Sequence, residues 1–140
     1  MGVILTGLSS CYVPYFWDGT QDLLSRRAAI INVWRPIAHV ARDWPLAVAD
    51  ASSVDPQDLV TTDLLFPHRK GEIYNLLHNP AQRWLYVPDV QPAEALLIKC
   101  WDSNTAVAQF TPHAGFQDST TPPETPPRQS IEFRTIAFFD

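Results

Sequence analysis

Between Pro36 and Pro92 the chain meets proline again at positions 45, 56, 67, 80 and 88, and no feature of the sequence restricts its fold more. Proline fixes φ, has no N–H to donate, and pushes the preceding residue towards extended backbone, so each one ends a helix or marks a strand boundary. Thirteen prolines against five glycines leave room for short segments joined by fixed loops, and five of those prolines fall between Pro112 and Pro127.

The segments between these stops read as strands. Ala28 to Trp34 (AAIINVW) is β-branched and aromatic and runs into Arg35-Pro36; Pro45 to Ala49 follows. Asp63 to Phe66, Ile73 to Leu77, Arg83 to Val87, Ala95 to Trp101 and Ala106 to Thr111 give further short runs, and Ser130 to Phe139 (SIEFRTIAFF) gives the longest. Asn79-Pro80 marks a reversal. Helical signals are slight: residues 20–28 suit one helical turn with Thr20 as N-cap, and Asp55-Pro56 suits another, with an aspartate cap and proline in the first helical position. Residues 117–129 (QDSTTPPETPPRQ) contain almost nothing apolar, yet a strong strand follows at once, which predicts an ordered extended loop rather than a linker. Short strands between turn signals, without a helix of normal length, predict an all-β sandwich or barrel with short helical turns, and no segment repeats at a fixed period.

At 140 residues, one domain with its own core is expected over 1–140. A net charge of -5 and scattered lysines and arginines provide no basic stripe for a phosphate backbone, so nucleic acid is not an expected partner. Residues 1–17 lack a basic leader and no run of 18 apolar residues occurs, so neither a signal peptide nor a membrane span is expected. Cys11 and Cys100 do not make a disulfide framework, which points to the reducing cytoplasm.

Four stretches carry a family likeness: Ile31-Asn32-Val33-Trp34-Arg35-Pro36; Asp43-Trp44-Pro45-Leu46-Ala47; Asp50-Ala51-Ser52; and Phe110-Thr111-Pro112-His113 through Thr121-Pro122-Pro123 to Pro127-Arg128. In this order, over roughly residues 24–139, the chain resembles the C-terminal half of the fungal hydroxylase/desaturase family that includes gibberellin-desaturase-like enzymes and relatives of cephem methoxylation proteins. Residues 1–23 are atypical, either native or the product of a truncated gene model. The resemblance implies a partial double-stranded β-helix of jelly-roll type. It further implies Fe(II) and 2-oxoglutarate as cofactors, and oxidative tailoring of a small natural-product substrate.

An iron site of this type needs two histidines and a carboxylate on one face of the metal, two of them usually as His-x-Asp or His-x-Glu. His39, His68, His78 and His113 are followed two places later by Ala41, Lys70, Pro80 and Gly115, so the pair is missing. The resemblance offers His113 as the distal metal ligand, against an ordinary turn histidine with a backbone partner. Arg128 and Ser130, in Arg-x-Ser form, and Arg134 are the candidates for gripping the distal carboxylate of 2-oxoglutarate, since a guanidinium fork matches a carboxylate bidentately. Against this stands an Arg134–Glu132 surface pair with a solvated Arg128. Trp34 and Trp44 are expected to pack rather than recognise substrate, Asp50 and Asp102 to form turns, and Cys100 to be a buried thiol. Hydroxylation and desaturation are not distinguished, and a metal-independent cyclase, isomerase or binding protein is the alternative. A β-helix cut near its middle exposes strand edges, which predicts a homodimer, a partner chain, or cover from residues 1–23 through Tyr12, Tyr15, Phe16 and Trp17.

Overall fold

The computed structural model describes residues 3–4, 23 and 25–140. The helical turn expected over 20–28 and the aromatic anchors of 1–23 lie largely outside those residues, and Arg27 and Ala28 are already extended. The strands are β1 (Val3–Ile4), β2 (Arg27–Pro36), β3 (Leu46–Ala49), β4 (Leu59–Phe66), β5 (Arg69–Leu77), β6 (Trp84–Tyr86), β7 (Leu96–Asp102), β8 (His113–Gly115) and β9 (Ser130–Phe139). All pair antiparallel, in three sheets ordered β1-β5-β4, β7-β2-β9 and β6-β3-β8.

β2 is the central strand. Its even-numbered residues Ile30, Asn32, Trp34 and Pro36 are buried, the period of two that a sheet packed on one face requires. The strand runs on through Arg35-Pro36 instead of stopping there, because Pro36 occupies the last rung of the β9 ladder, opposite Ser130. Trp34 and Ile98, with Leu96, meet Leu46, Ala41 and Val90 to form the core between the β7-β2-β9 and β6-β3-β8 sheets. Beside it, Leu76 and Ile73 are buried in the β4-β5 hairpin, and Tyr74 stacks on Phe110 with ring centroids 5.7 Å apart.

Local polar chemistry fixes the connections. Asp50 and Asp55 each accept a backbone N–H at 2.9 Å, from Ser52 and Gln57, and so cap single 3₁₀ turns at Ala51–Ser53 and Pro56–Asp58. The Ala106 to Thr111 run is not a strand. Asn104 accepts the Ala106 N–H at 2.9 Å and folds the chain into a turn, and the next strand starts only after Pro112, at His113. Residues 117–129 form an anchored loop, tied by Tyr86 Oη to Asp118 and by Thr121 Oγ1 to the Arg42 carbonyl.

At the far end of β2, a register shift between Ile30 and Ile31 sets Asp102 opposite Ala29. The Asp102 side chain is 1% exposed and takes Arg27 through two bonds of 3.0 and 2.7 Å, Lys99 at 3.0 Å and the Asn104 N–H at 2.9 Å. The Arg27 hydrogen bonds, followed by the Asn104 amide, hold this carboxyl well below the usual carboxylate range against the opposing cost of burial. Arg27 also lies over the Phe139 ring at 4.6 Å, so this cluster ties the ends of β2, β7 and β9 together. Among the described residues no helix is long and apolar enough to cross a membrane.

Candidate functional site

β8 is three residues long, and its alternation sends His113 and the missing side chain of Gly115 to the same face. His113 is half-buried opposite Val48 of β3, and its Nδ1 lies 2.9 Å from the Thr111 carbonyl. A carbonyl only accepts, so Nδ1 carries a proton, and in the neutral ring the lone pair is then on Nε2. This is the tautomer a metal-bound imidazole uses, and equally that of a histidine tied to its own backbone.

Arg128 comes to the Gly115 end of that face. Its Nη1 donates to the Trp44 carbonyl, its guanidinium lies 5.6 Å from the Trp34 ring centroid, and its backbone N–H reaches Asp43 at 3.3 Å. A Cβ on Gly115 would stand 3.4 Å from Arg128 Nη1, so the glycine makes room for the guanidinium. Arg128 is half-buried, its guanidinium held at the Trp44 carbonyl. Trp44 is 50% exposed and adopts φ 47, a left-handed conformation uncommon for a bulky residue. Trp34 is 4% exposed and packs in the core as expected.

The second arginine is placed differently. Residues directly opposite in an antiparallel pair share a face, so Ser130, Glu132 and Arg134 of β9 lie on the side of Pro36, Trp34 and Asn32. Arg134 stands opposite Asn32, two rungs from Ser130's neighbour Glu132 and Trp34 pair, on a more exposed stretch than Arg128. Glu132 accepts the Asn32 Nδ2 proton at 2.8 Å, while the Asn32 Oδ1, in a residue 1% exposed, has no hydrogen-bond partner among the described residues. Sequence reasoning missed Gly115, the Trp44 carbonyl and this contact between buried Asn32 and exposed Glu132. Alternation along His113-Ala114-Gly115 was the one signal available for the first.

Among the described residues no three His, Cys, Asp or Glu side chains converge on a point that would hold a metal. His39 is turned to its neighbour's carbonyl, Asp50 caps a turn and pairs with Arg83, and Asp102 is committed to Arg27 and Lys99. The described residues therefore do not fit an iron centre on their own. The charge and fork of Arg128 do suit a carboxylate.

Over residues 13–138 the chain matches the family described as oxidoreductase/YMDC permease-like domain. The chain belongs to this family. The chain is 40% identical over 135 residues to hydroxylase/desaturase asaB of Aspergillus flavus, covering 86% of this chain and 59% of that relative. It is 38% identical over 127 residues to aspirochlorine biosynthesis protein N of Aspergillus oryzae, covering 88% of this chain and 53% of that relative. A solved structure, the iron and alpha-ketoglutarate-dependent endoperoxidase NvfI, superposes with a TM-score of 0.78 at 30% identity over 87% of this chain and 46% of its own. The chain thus spans about half the length of the relatives it matches, and its fold is the corresponding part of a jelly roll. The fungal hydroxylase/desaturase likeness and the partial β-helix expected from the sequence both hold.

Proposed function

We propose that this chain forms one wall of an oxidative tailoring site of the non-heme-iron, 2-oxoglutarate type, acting on a small natural product. Arg128 is the residue proposed to bind the cosubstrate's distal carboxylate, with Ser130 beside it in extended alternation. The observation that carries this reading is the grouping of His113, Gly115 and Arg128 on one face of the β3-β8 pair, a lone-pair nitrogen and a guanidinium together at the inner surface. The relatives support the chemical class, since NvfI is described as iron and alpha-ketoglutarate-dependent. When bound, the iron and 2-oxoglutarate would supply the oxidising chemistry. This chain's own part is to hold a carboxylate by charge and to present one imidazole.

Because the described residues offer a single candidate ligand, the remaining ligands are proposed to come from polypeptide outside them. We further propose a homodimer or a partner chain as cover for the exposed apolar side chains of β9, Phe133 among them. Anaerobic titration with Fe(II) and 2-oxoglutarate, followed by the visible charge-transfer absorption of the chelate, tests the reading. A band near one equivalent per chain, lost in His113→Ala and weakened about tenfold or more in Arg128→Ala, is expected. No band and no bound metal would replace this reading by a metal-independent binder, cyclase or isomerase.

A further inference from the structure

We propose that Trp44 is a positioning residue for Arg128: its left-handed backbone aims its own carbonyl at the guanidinium and fixes it for a carboxylate, and the indole itself is dispensable. The proposal deepens the reading of Arg128 given above and rests on it.

Two observations meet at this residue. Among the described residues Trp44 is one of two non-glycine residues with positive φ, at 47, and it precedes Pro45. Proline confines the residue before it to extended backbone with negative φ, so the conformation is held against two steric preferences at once. The carbonyl of the same residue accepts the Arg128 Nη1 proton. Strained backbone persists where its surroundings over-determine it, and such positions concentrate where a protein holds a group in place for its chemistry.

The surroundings of Trp44 do over-determine it. On the side before it, the Arg42 carbonyl accepts the Thr121 Oγ1 proton at 3.2 Å, the Arg42 guanidinium donates to Asp89 at 2.7 Å, and Asp43 accepts the Arg128 backbone N–H at 3.3 Å. On the side after it, the Pro45 carbonyl accepts the Phe116 N–H at 3.1 Å, and Leu46 enters the β3-β8 ladder opposite Gly115. The chain is pinned at both ends, and the backbone of Trp44 bridges them. The indole is held less firmly, in a residue 50% exposed.

This arrangement suits a carboxylate grip. An arginine side chain carries many rotamers, and its guanidinium has five donors in a rigid plane. A bond to a carbonyl whose place the chain dictates, with the Trp34 ring centroid 5.6 Å away and Gly115 alongside, removes much of that freedom and uses one donor. A neutral carbonyl also leaves the positive charge uncancelled, as an aspartate in its place would not. Less freedom remains to be lost on binding, which is what preorganisation contributes to affinity.

The test uses the whole chain and two readouts. Substitutions at position 44 rank differently by the two properties of the residue. Glycine and asparagine tolerate positive φ best and β-branched valine worst, whereas phenylalanine is nearest to tryptophan in aromatic surface. The first readout is the rate at which phenylglyoxal modifies Arg128, followed by mass spectrometry without any ligand; the second is calorimetric titration with 2-oxoglutarate. Trp44→Gly and Trp44→Asn, the variants that conserve the backbone, should stay within about twofold of wild type in both. Trp44→Val should speed the modification and raise the 2-oxoglutarate dissociation constant about tenfold, and added to Arg128→Ala it should weaken binding no further. Circular dichroism melts establish that each variant folds; if Trp44→Val does not, Trp44→Gly and Trp44→Asn decide alone. Binding kept in Trp44→Phe but lost in Trp44→Gly and Trp44→Asn overturns the proposal, as does an Arg128 modification rate that is the same in Trp44→Val as in wild type. A wild type that does not bind 2-oxoglutarate, or an Arg128→Ala variant that binds it equally well, overturns the carboxylate reading instead, and the ligand-free modification rates still decide whether Trp44 fixes Arg128.

Discussion

Gly115 is the position at which the placement of Arg128 can be tested without touching the arginine. A Cβ there would meet Arg128 Nη1 at 3.4 Å, the Trp44 carbonyl at 3.7 Å and Nη2 at 3.9 Å. Alanine adds that atom alone. Its tightest contact is with the end of a flexible side chain that can yield by a few tenths of an ångström, and replacing glycine lowers the entropy of the unfolded chain by about 0.4–1 kcal/mol. Gly115→Ala should therefore be neutral or slightly stabilising. Valine adds two methyls about 1.5 Å further out, and with the guanidinium on one side and the carbonyl on the other, at least one of them enters the space Arg128 fills. The expected cost is about 1–3 kcal/mol for overpacking and about 1 kcal/mol for a weakened bond to the Trp44 carbonyl at a half-buried site, partly offset by the β-propensity of valine. Urea denaturation should show Gly115→Val destabilised by about 2–3 kcal/mol with an unchanged m-value. In an Arg128→Ala background the obstacle is gone and the valine should cost less than about 1 kcal/mol, a coupling of the size expected between contacting residues. An equal cost in both backgrounds would mean that Arg128 does not rest over Gly115, and the proposed carboxylate site would lose its geometry.

Three other outcomes follow from the packing and the charges. Leu76 has no exposed surface, so Leu76→Ala should cost about 2–5 kcal/mol in urea denaturation; a loss under 1 kcal/mol would show that the β4-β5 hairpin does not pack as described. Asp102 has a folded pKa below its unfolded value, so its contribution is fully present above the ordinary carboxylate pKa and is lost as pH falls through the folded one. The wild-type urea midpoint should thus drop below about pH 4, and Asp102→Asn should be less stable at neutral pH and flatter below pH 4; parallel curves would refute the assignment. Asn32→Val removes both the bond to Glu132 and the Oδ1 that has no partner among the described residues, so it should change stability by under about 1 kcal/mol, whereas Asn32→Ala leaves a cavity and should cost more.

Most of the fold was legible because proline and local polar chemistry fixed the segment ends, and short β-branched runs between them have few alternatives. Asp55-Pro56 capped the turn it was expected to cap, and Ser130 to Phe139 formed a strand with the expected bounds. The Ala106 to Thr111 run misled because its alternation said nothing about Asn104, whose side chain takes the Ala106 amide and closes a turn first. Asp102 likewise looked like a turn former. It does accept the Asn104 N–H, but its burial beside Arg27 depends on β2 and β7 meeting, a long-range fact that spacing does not carry.

The candidate site was legible residue by residue and not as an assembly. His113 and Arg128 were singled out on type and order, but what brings them together is a glycine with no side chain and a backbone carbonyl from Trp44, neither of which has a sequence signature. The inner face shows the same division. Trp34 is buried against Leu46 of β3 and Leu96 and Ile98 of β7, while Glu132, Arg134 and Ile136, on the same face of the adjoining strand, are exposed on a β9 that pairs, among the described residues, with β2 alone. A wall built this way can orient a carboxylate, but it cannot by itself exclude water from the reacting centre, and water exclusion is what gives fixed charges their leverage in catalysis. Whatever closes over the β9 edge therefore bears on chemistry as well as on stability. If Arg128 binds 2-oxoglutarate, affinity should rise with protein concentration across the range in which the dimer forms, and binding that is independent of assembly would separate the two roles.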